Sequence, residues 1–243
     1  WFTVTVLDSQ APTLTCPANQ SFNNIANTCA ATYTLIDPIY DNCPGATWGF
    51  ALSGATVSTS TGIADGVNIN NVSFNKGITT VIYSGIDASS NLATTCSFTV
   101  SVTDNQPPTF TCPTPSLVLN TTGNNNCEVL IPNLVAMVIA SDNCALATIP
   151  VVQSIPAGAY TGVSHGSTIP VSLTVTDAVS NTAGCTVTFT VNDDDAPVMT
   201  CPNNIVQGNT LNTCQAAVTF TLPTPTDNCT GATLQSSHAS GSN

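Results

Sequence analysis

The sequence predicts an all-β chain of tandem two-sheet sandwich repeats stapled by disulfides. Three observations predict it. A four-cysteine pattern recurs along the 243 residues, short segments alternate apolar and polar side chains with period two, and no 3.6-residue apolar stripe runs between them.

The repeat comes first because it fixes the architecture. Cys-Pro pairs stand at Cys16-Pro17, Cys112-Pro113 and Cys201-Pro202, 96 and 89 residues apart. Linkers of one type precede them: DSQAPTLTCP, DNQPPTFTCP and DDDAPVMTCP. A second cysteine follows 13, 15 and 13 residues later, at Cys29, Cys127 and Cys214. An Asp-Asn-Cys tripeptide comes next, ending at Cys43, Cys144 and Cys229, and a fourth cysteine opens an alternating segment at Cys96 and Cys185. Cutting at the linkers gives repeats over 9–103 and 104–194, with residues 195–243 as the first half of a third. Residues 1–8, WFTVTVLD, match SFTVSVTD and read as the last strand of a preceding repeat. Both ends of the chain are therefore expected to fall inside domains, as in a mature protein or a fragment.

Within each repeat, AATYTLI, TTVIYSGID, VSLTVTD, SFTVSV and TVTFTV alternate between two faces and are bounded by Gly, Pro, Asn and Asp. About seven such strands in roughly 90 residues make a two-sheet sandwich. Phe98, Val100 and Val102 in the first repeat, and Val187, Phe189 and Val191 in the second, share one face and are expected in the core. Cys43 and Cys96 of the first repeat are 53 positions apart where Cys144 and Cys185 of the second are 41 apart, and the excess falls around TVSTSTGIADGVNIN as an inserted loop or hairpin.

Composition narrows the function. One Lys or Arg stands against 13 Asp and Glu, for a net charge of −12. A chain with no basic surface cannot neutralise phosphates, and an anionic membrane repels it. No apolar run approaches the length of a membrane-spanning helix. Eleven cysteines without zinc-type CxxC pairs belong in an oxidising compartment, so the chain is expected to be secreted or on a cell surface.

The order D-x-x-P…CP…C…DNC…D-x-x-x-N…C-x-[FV]-x-V-x-D resembles the hyalin repeat, or HYR domain, an immunoglobulin-like module. Four-cysteine versions recur in large surface adhesins of gliding Bacteroidota. The family usually has Gly before the Asn of its D-x-x-G-N turn, where this chain has Ser90-Asn91 and Ser180-Asn181. The resemblance implies tandem immunoglobulin-like β-sandwich repeats with disulfides, extracellular adhesion or spacing, and no enzymatic activity.

Four cysteines per repeat allow three connectivities, and the sequence does not choose among them. Placing the Asp-Asn-Cys loop and the loop before the last strand at one end of the sandwich gives Cys43–Cys96 and Cys144–Cys185. The remaining cysteines then join first strand to second as Cys16–Cys29, Cys112–Cys127 and Cys201–Cys214, leaving Cys229 without a partner. Each closure is worth ~2–4 kcal/mol through loop entropy.

Ten of the 13 acids sit at repeat-equivalent places: the linkers (Asp8, Asp104, Asp193, Asp194, Asp195), the Asp-Asn-Cys loops (Asp41, Asp142, Asp227) and the D-x-x-x-N turns (Asp87, Asp177). In an immunoglobulin-like topology the linker and both loops converge on one end. Carboxylates and an Asn carbonyl gathered there suit calcium (Ca2+), which takes oxygen ligands. The candidate sets are Asp8, Asp41, Asp87 and Asn91, then Asp104, Asp142, Asp177 and Asn181. The competing reading is that Asp and Asn cap turns through local hydrogen bonds.

Gly162-Val163-Ser164-His165-Gly166 spells the G-x-S-x-G of a nucleophile elbow, but that motif needs a helix after it and a strand pattern follows here. Sequons at Asn19, Asn71, Asn120 and Asn228 matter only in a eukaryotic source. Trp48 and Tyr40 are the aromatics placed to meet a sugar ring, against a packing role for both. The reading that results is a non-catalytic stalk or adhesin whose partners are neighbouring repeats, other copies in a filament, or surface glycans and proteins. Its rivals are a filament subunit completed by strand donation and a carbohydrate-binding module attached to an enzyme.

Overall fold

A computed structural model describes residues 1–124, 126–144 and 149–240. The chain divides into two compact units. Unit one comprises 1–109, 140–150 and 176–183; unit two comprises 110–139, 151–175 and 184–243. Both are all-β, and no helix among the described residues is long and apolar enough to cross a membrane.

Unit one contains β1 (Thr13–Leu14), β2 (Gln20–Asn23), β3 (Ala30–Leu35), β4 (Ile39–Tyr40), β5 (Thr47–Gly54), β6 (Ser58–Ala64), β7 (Ile69–Asn75), β8 (Gly77–Ile86) and β9 (Cys96–Thr103). One sheet runs β2-β9-β8-β5-β6, and β3 pairs with β7. All ladders in this sheet are antiparallel except the edge: β2 lies parallel to β9, with Gln20 opposite Val100. Alternation fills the core as expected, with Phe98, Val100 and Val102 at 3%, 0% and 3% exposure. The excess segment of the first repeat holds β6 and β7, which pair with β5 and β3 in different sheets, and the turn between them contains Gly66, whose φ of +81° a side chain would resist. Its β6 forms a fifth strand on β5. A bulge between Trp48 and Phe50 brings the two so close that a Cβ on Gly49 would lie 2.5 Å from the Ser60 carbonyl oxygen.

The second repeat contributes β10 (Thr109–Phe110), β11 (Val118–Asn120), β12 (Val129–Ile131), β13 (Ala140–Ser141), β14 (Val151–Gln153), β15 (Gly158–Tyr160), β16 (Thr168–Thr176) and β17 (Thr182–Asn192). The order β11-β17-β16-β14 repeats the first sheet without a fifth strand, β11 again lies parallel to β17, and β12 pairs with β15. Val187, Phe189 and Val191 are buried with Val171, Leu173 and Leu134. Residues 1–8 form no strand here, and Trp1, Phe2, Val4, Val6 and Leu7 are exposed. Among the described residues after 194 the ladder is reduced to one bridge, Val198 with Thr226.

The disulfides overturn the expected pairing. The bonds are Cys16–Cys96, Cys29–Cys144, Cys112–Cys185 and Cys127–Cys229. None of Cys16–Cys29, Cys43–Cys96, Cys112–Cys127, Cys144–Cys185 or Cys201–Cys214 forms, and Cys43, Cys201 and Cys214 carry free thiols. The parallel edge is the physical reason. Gln20 faces Val100, so four residues back along both strands Cys16 reaches Cys96. Val118 facing Thr190 brings Cys112 to Cys185 in the same way. Cys29 lies at the far end of β2, several residues at ~3.3 Å each from Cys16. It is free to take the Asp-Asn-Cys cysteine of the next repeat, and Cys127 does the same with Cys229. Both ends of each bond lie within one compact unit. Cys43 stands beside the linker, where Asp8 meets its thiol, and Cys96 is taken by Cys16.

The core of unit one is aromatic. Tyr83 packs edge-on against Trp48 at 5.4 Å and tilted against Phe98 at 5.5 Å. The Tyr83 hydroxyl and the Trp48 indole N–H are buried without hydrogen-bond partners, and burial pushes the Tyr83 phenol well above its ordinary pKa. Because a buried unpaired hydroxyl carries its desolvation cost, Tyr83→Phe is expected to raise stability by about 1 kcal/mol in urea unfolding. A loss of stability of similar size would mean that the hydroxyl is satisfied. Disulfide mapping under non-reducing conditions should return the four bonds named above, and recovery of Cys16–Cys29 would refute the parallel edge.

Candidate functional site

Among the described residues, three groups of acids and cysteines gather where linker and loops meet, each with ligating atoms within 4.8 Å of one another: Asp8, Asp41 and Asp87; Asp104, Asp142 and Cys144; Asp193, Asp227 and Cys229. The linker Asp and the Asp-Asn-Cys Asp are common to all three. Of the expected first set, Asp8, Asp41 and Asp87 come together. Of the second, Asp104 and Asp142 do so and Asp177 lies outside the group. The third group, with Asp193 and Asp227, was not singled out as a site from sequence, although the same linker and tripeptide mark it.

The two D-x-x-x-N turns are built alike. Asp87 Oδ1 accepts the backbone N–H of Ser89 at 2.9 Å and of Asn91 at 2.8 Å, while Asn91 Nδ2 donates to Asp87 Oδ2 at 2.7 Å and to the Asp8 carbonyl at 3.2 Å. Asp177 accepts from Val179 and Asn181 in the same way, and Asn181 Nδ2 reaches the carbonyls of Asp104 and Gln106, both at 3.3 Å. Asn91 and Asn181 thus present amide donors that clasp turn to linker, where the sequence reading had them offering carbonyl oxygens to a metal. Burial opposes ionisation of Asp87 and Asp177, but the Asn side chain and the turn's backbone N–H groups outweigh it and hold both carboxyls below their ordinary pKa. Ser90 and Ser180 sit at φ of +70° and +74°, the left-handed region that explains a Gly preference at that position.

Asp41 differs from these capping residues. Both its carboxylate oxygens are buried without a hydrogen-bond partner, as are Asp142 Oδ2 and Asn228 Oδ1. Orphaned buried oxygens beside other carboxylates fit a hard cation such as calcium, which takes oxygen ligands. The fit is best at Asp8, Asp41 and Asp87, which supply three carboxylates. At the other two groups the third member is a disulfide sulfur, a neutral atom unsuited to a hard ion, and two carboxylates remain.

The chain's one basic side chain falls on the second group. Lys76 Nζ lies 3.4 Å from Asp104 Oδ2, with Asp104 only 1% exposed at its side chain and Lys76 27%. At the matching place in the second repeat, also 28 residues before the linker Asp, His165 Nδ1 accepts the Asp193 backbone N–H at 3.1 Å. His165 is thereby engaged with the linker, and Ser164 belongs to a loop closed by Ser167 ahead of β16, so the G-x-S-x-G segment is a joint and not an elbow. Spacing to the linker could have found Lys76 and His165. Gln106 gave no sequence signal, yet its Oε1 accepts from Asn24 Nδ2 at 3.1 Å and Asn27 N–H at 2.9 Å. Trp48, 1% exposed, is a core residue; Tyr40 stays exposed.

Residues 192–243 match the family model described as HYR domain. Along its whole length the chain is 30% identical, over 250 aligned residues, to Hyalin of Strongylocentrotus purpuratus, and it spans 19% of that relative. Among solved structures, it is similar to human CDH23 EC21-23 at 16% identity, covering 87% of this chain and 78% of that one, with a TM-score of 0.38. It is also similar to the Protocadherin GammaB4 extracellular domain at 13% identity, with 94% and 40% covered and a TM-score of 0.39. Fibronectin(III)-like modules of Clostridium thermocellum CbhA align at 15% identity over 75% of this chain and 94% of theirs, with a TM-score of 0.26.

Removing the cation from a buried carboxylate leaves an uncompensated charge, so Lys76→Met is expected to destabilise the fold by about 2 kcal/mol. Lys76→Met combined with Asp104→Asn should recover most of that loss in the same denaturation assay. Ser90→Gly and Ser180→Gly should each stabilise by roughly 0.5–1 kcal/mol by relieving a left-handed serine. The lowered carboxyls of Asp87 and Asp177 contribute stability that is complete above the ordinary Asp pKa and is lost as pH falls through the folded values. Acid unfolding should therefore begin below about pH 4. Asp87→Asn combined with Asp177→Asn should flatten that acid limb.

Proposed function

We propose that the chain is a non-catalytic structural and adhesive region of an extracellular protein, a stalk of HYR-type repeats whose acidic joints hold calcium. The four-cysteine order supports assigning 9–103 and 104–194 to the same repeat type, as in the large surface adhesins of gliding Bacteroidota. One observation carries the reading: the second cysteine of one repeat is bonded to the Asp-Asn-Cys cysteine of the next, twice over. Such bonds hold successive repeats in covalent series, and the closures of about 4 kcal/mol each expected for loops near 100 residues resist unfolding in an oxidising medium. A net charge of −12 makes such chains mutually repelling.

Calcium enters through Asp8, Asp41 and Asp87. Three carboxylates within 4.8 Å repel one another, and two of their oxygens have no donor; a divalent ion removes both costs. Asp104 already has Lys76, so the first joint is the stronger site. Bound calcium would add to disulfide rigidity by tying the linker at Asp8 to the loops at Asp41 and Asp87.

Thermal unfolding of the oxidised chain in millimolar calcium and in chelator tests this. Calcium at a hundredfold above its Kd adds about 2.7 kcal/mol, a rise in Tm of roughly 5–10 °C for a chain of this size. Asp41→Asn should abolish the shift. An unchanged Tm in the wild-type chain would remove calcium from the joints. Stretching the chain by single-molecule force should give a short contour length that increases on reduction. A length insensitive to reductant would overturn the stalk reading.

A further inference from the structure

All three unbonded cysteines stand in places where the chain displays, at equivalent positions, what their partner is, and two of them, Cys43 and Cys214, complement each other. Cys43 closes the first Asp-Asn-Cys tripeptide; Cys144 and Cys229 close the other two, and each is bonded to the second cysteine of the preceding repeat. Cys214 is the second cysteine of the third repeat, and its equivalents Cys29 and Cys127 are each bonded to the tripeptide cysteine of the next.

Both half-sites are formed in advance. The turn carrying Cys29 has Ile25 N–H donating to the Ala30 carbonyl at 2.8 Å, Asn24 Nδ2 to the Thr28 carbonyl at 2.8 Å, and Asn27 at φ +62°. The turn carrying Cys214 repeats this bond for bond. Thr210 N–H donates to the Gln215 carbonyl at 2.7 Å, Asn209 Nδ2 to the Thr213 carbonyl at 2.6 Å, and Asn212 has φ +68°. The Cys214 thiol is exposed. On the other side, Asn42 Nδ2 lies 3.5 Å from Cys43 Sγ, as Asn143 Nδ2 lies 3.3 Å from Cys144 Sγ. Where the bond is made, Asn143 Nδ2 also donates to the Thr28 carbonyl of the partner turn at 2.6 Å. Thr213 presents the matching carbonyl beside Cys214, and Asn42 the matching amide beside Cys43.

We infer that Cys43 and Cys214 are complementary half-sites of the same disulfide joint, each bonding covalently to a further repeat of this type. Cys43 takes a turn cysteine of the Cys29 kind, and Cys214 takes the cysteine of an Asp-Asn-Cys loop. The two thiols each lose a proton and together give up two electrons as the S–S bond forms. A disulfide oxidant such as glutathione disulfide accepts both protons and both electrons and leaves as two thiols. A second copy of this chain carries both half-sites, and so does further sequence of the same repeat type. Cys201, also exposed, corresponds to Cys16 and Cys112, which bond to a strand-opening cysteine, and takes no part in this joint.

The test uses the chain in a glutathione redox buffer containing chelator, so that its outcome is independent of calcium. Covalent multimers linked by a Cys43–Cys214 peptide are expected by mass spectrometry after alkylation. Cys214→Ser or Cys43→Ser should reduce multimers at least tenfold, and Cys201→Ser should leave them unchanged. In protein isolated from its source, a Cys43 peptide joined to Cys214 identifies a second copy. One joined to a cysteine outside these 243 residues identifies further sequence. Equal loss of multimers in Cys201→Ser, a bond from Cys43 or Cys214 to Cys201, or free thiols at both positions in the source protein would overturn the inference.

Discussion

The parallel pairing of the second strand of each repeat with its last is the constraint on which the covalent structure depends. Strands β2 and β9, and again β11 and β17, run side by side in the same direction, so the residues that precede them meet at one end. That places Cys16 on Cys96 and Cys112 on Cys185. It also carries the second cysteine to the far end of the strand, out of reach of the first. A cysteine delivered there has no mate in its own repeat, and the bonds to Cys144 and Cys229 follow. An antiparallel edge would have put the far end of β2 beside Cys96 and left Cys16 at the opposite end.

The acids illustrate how one residue type serves two purposes under different local geometry. Asp87 and Asp177 sit in turns whose backbone N–H groups point inward, so their carboxylates accept from the turn and hold a loop closed. Asp41 sits one residue before an exposed Asn on a loop that offers it no N–H, and its oxygens are left unanswered. The single lysine resolves the same electrostatic difficulty at Asp104. A chain with one cation and 13 acids has few ways to neutralise a buried carboxylate, and this placement uses the only one its side chains provide without an added ion.

The sandwich was legible because side-chain alternation is a local property. Phe98, Val100, Val102, Val187, Phe189 and Val191 are all buried, as period two requires. The linker, tripeptide and turn positions likewise marked Asp8, Asp41 and Asp87, which come together in one group, and Asp104 and Asp142, which come together in another. The ligand role given to Asn91 and Asn181 did not carry over, because which end of a side-chain amide faces its neighbour depends on the linker carbonyls above it. The expected pairing of Cys16 with Cys29 failed for a related reason. Pairing the Asp-Asn-Cys cysteine with the strand-opening one leaves Cys16 to Cys29, whereas strand β2 separates those two by its whole length.

Sequence alone determined the period, the pleat and the residue types at each joint, because repetition and alternation are written into the order of side chains. Tertiary structure decided which sulfur meets which, where the lone lysine sits, and which carboxylate is capped and which is left open. Those outcomes depend on the direction in which two strands run beside each other, and strand direction leaves no trace in a two-residue pattern of apolar and polar groups.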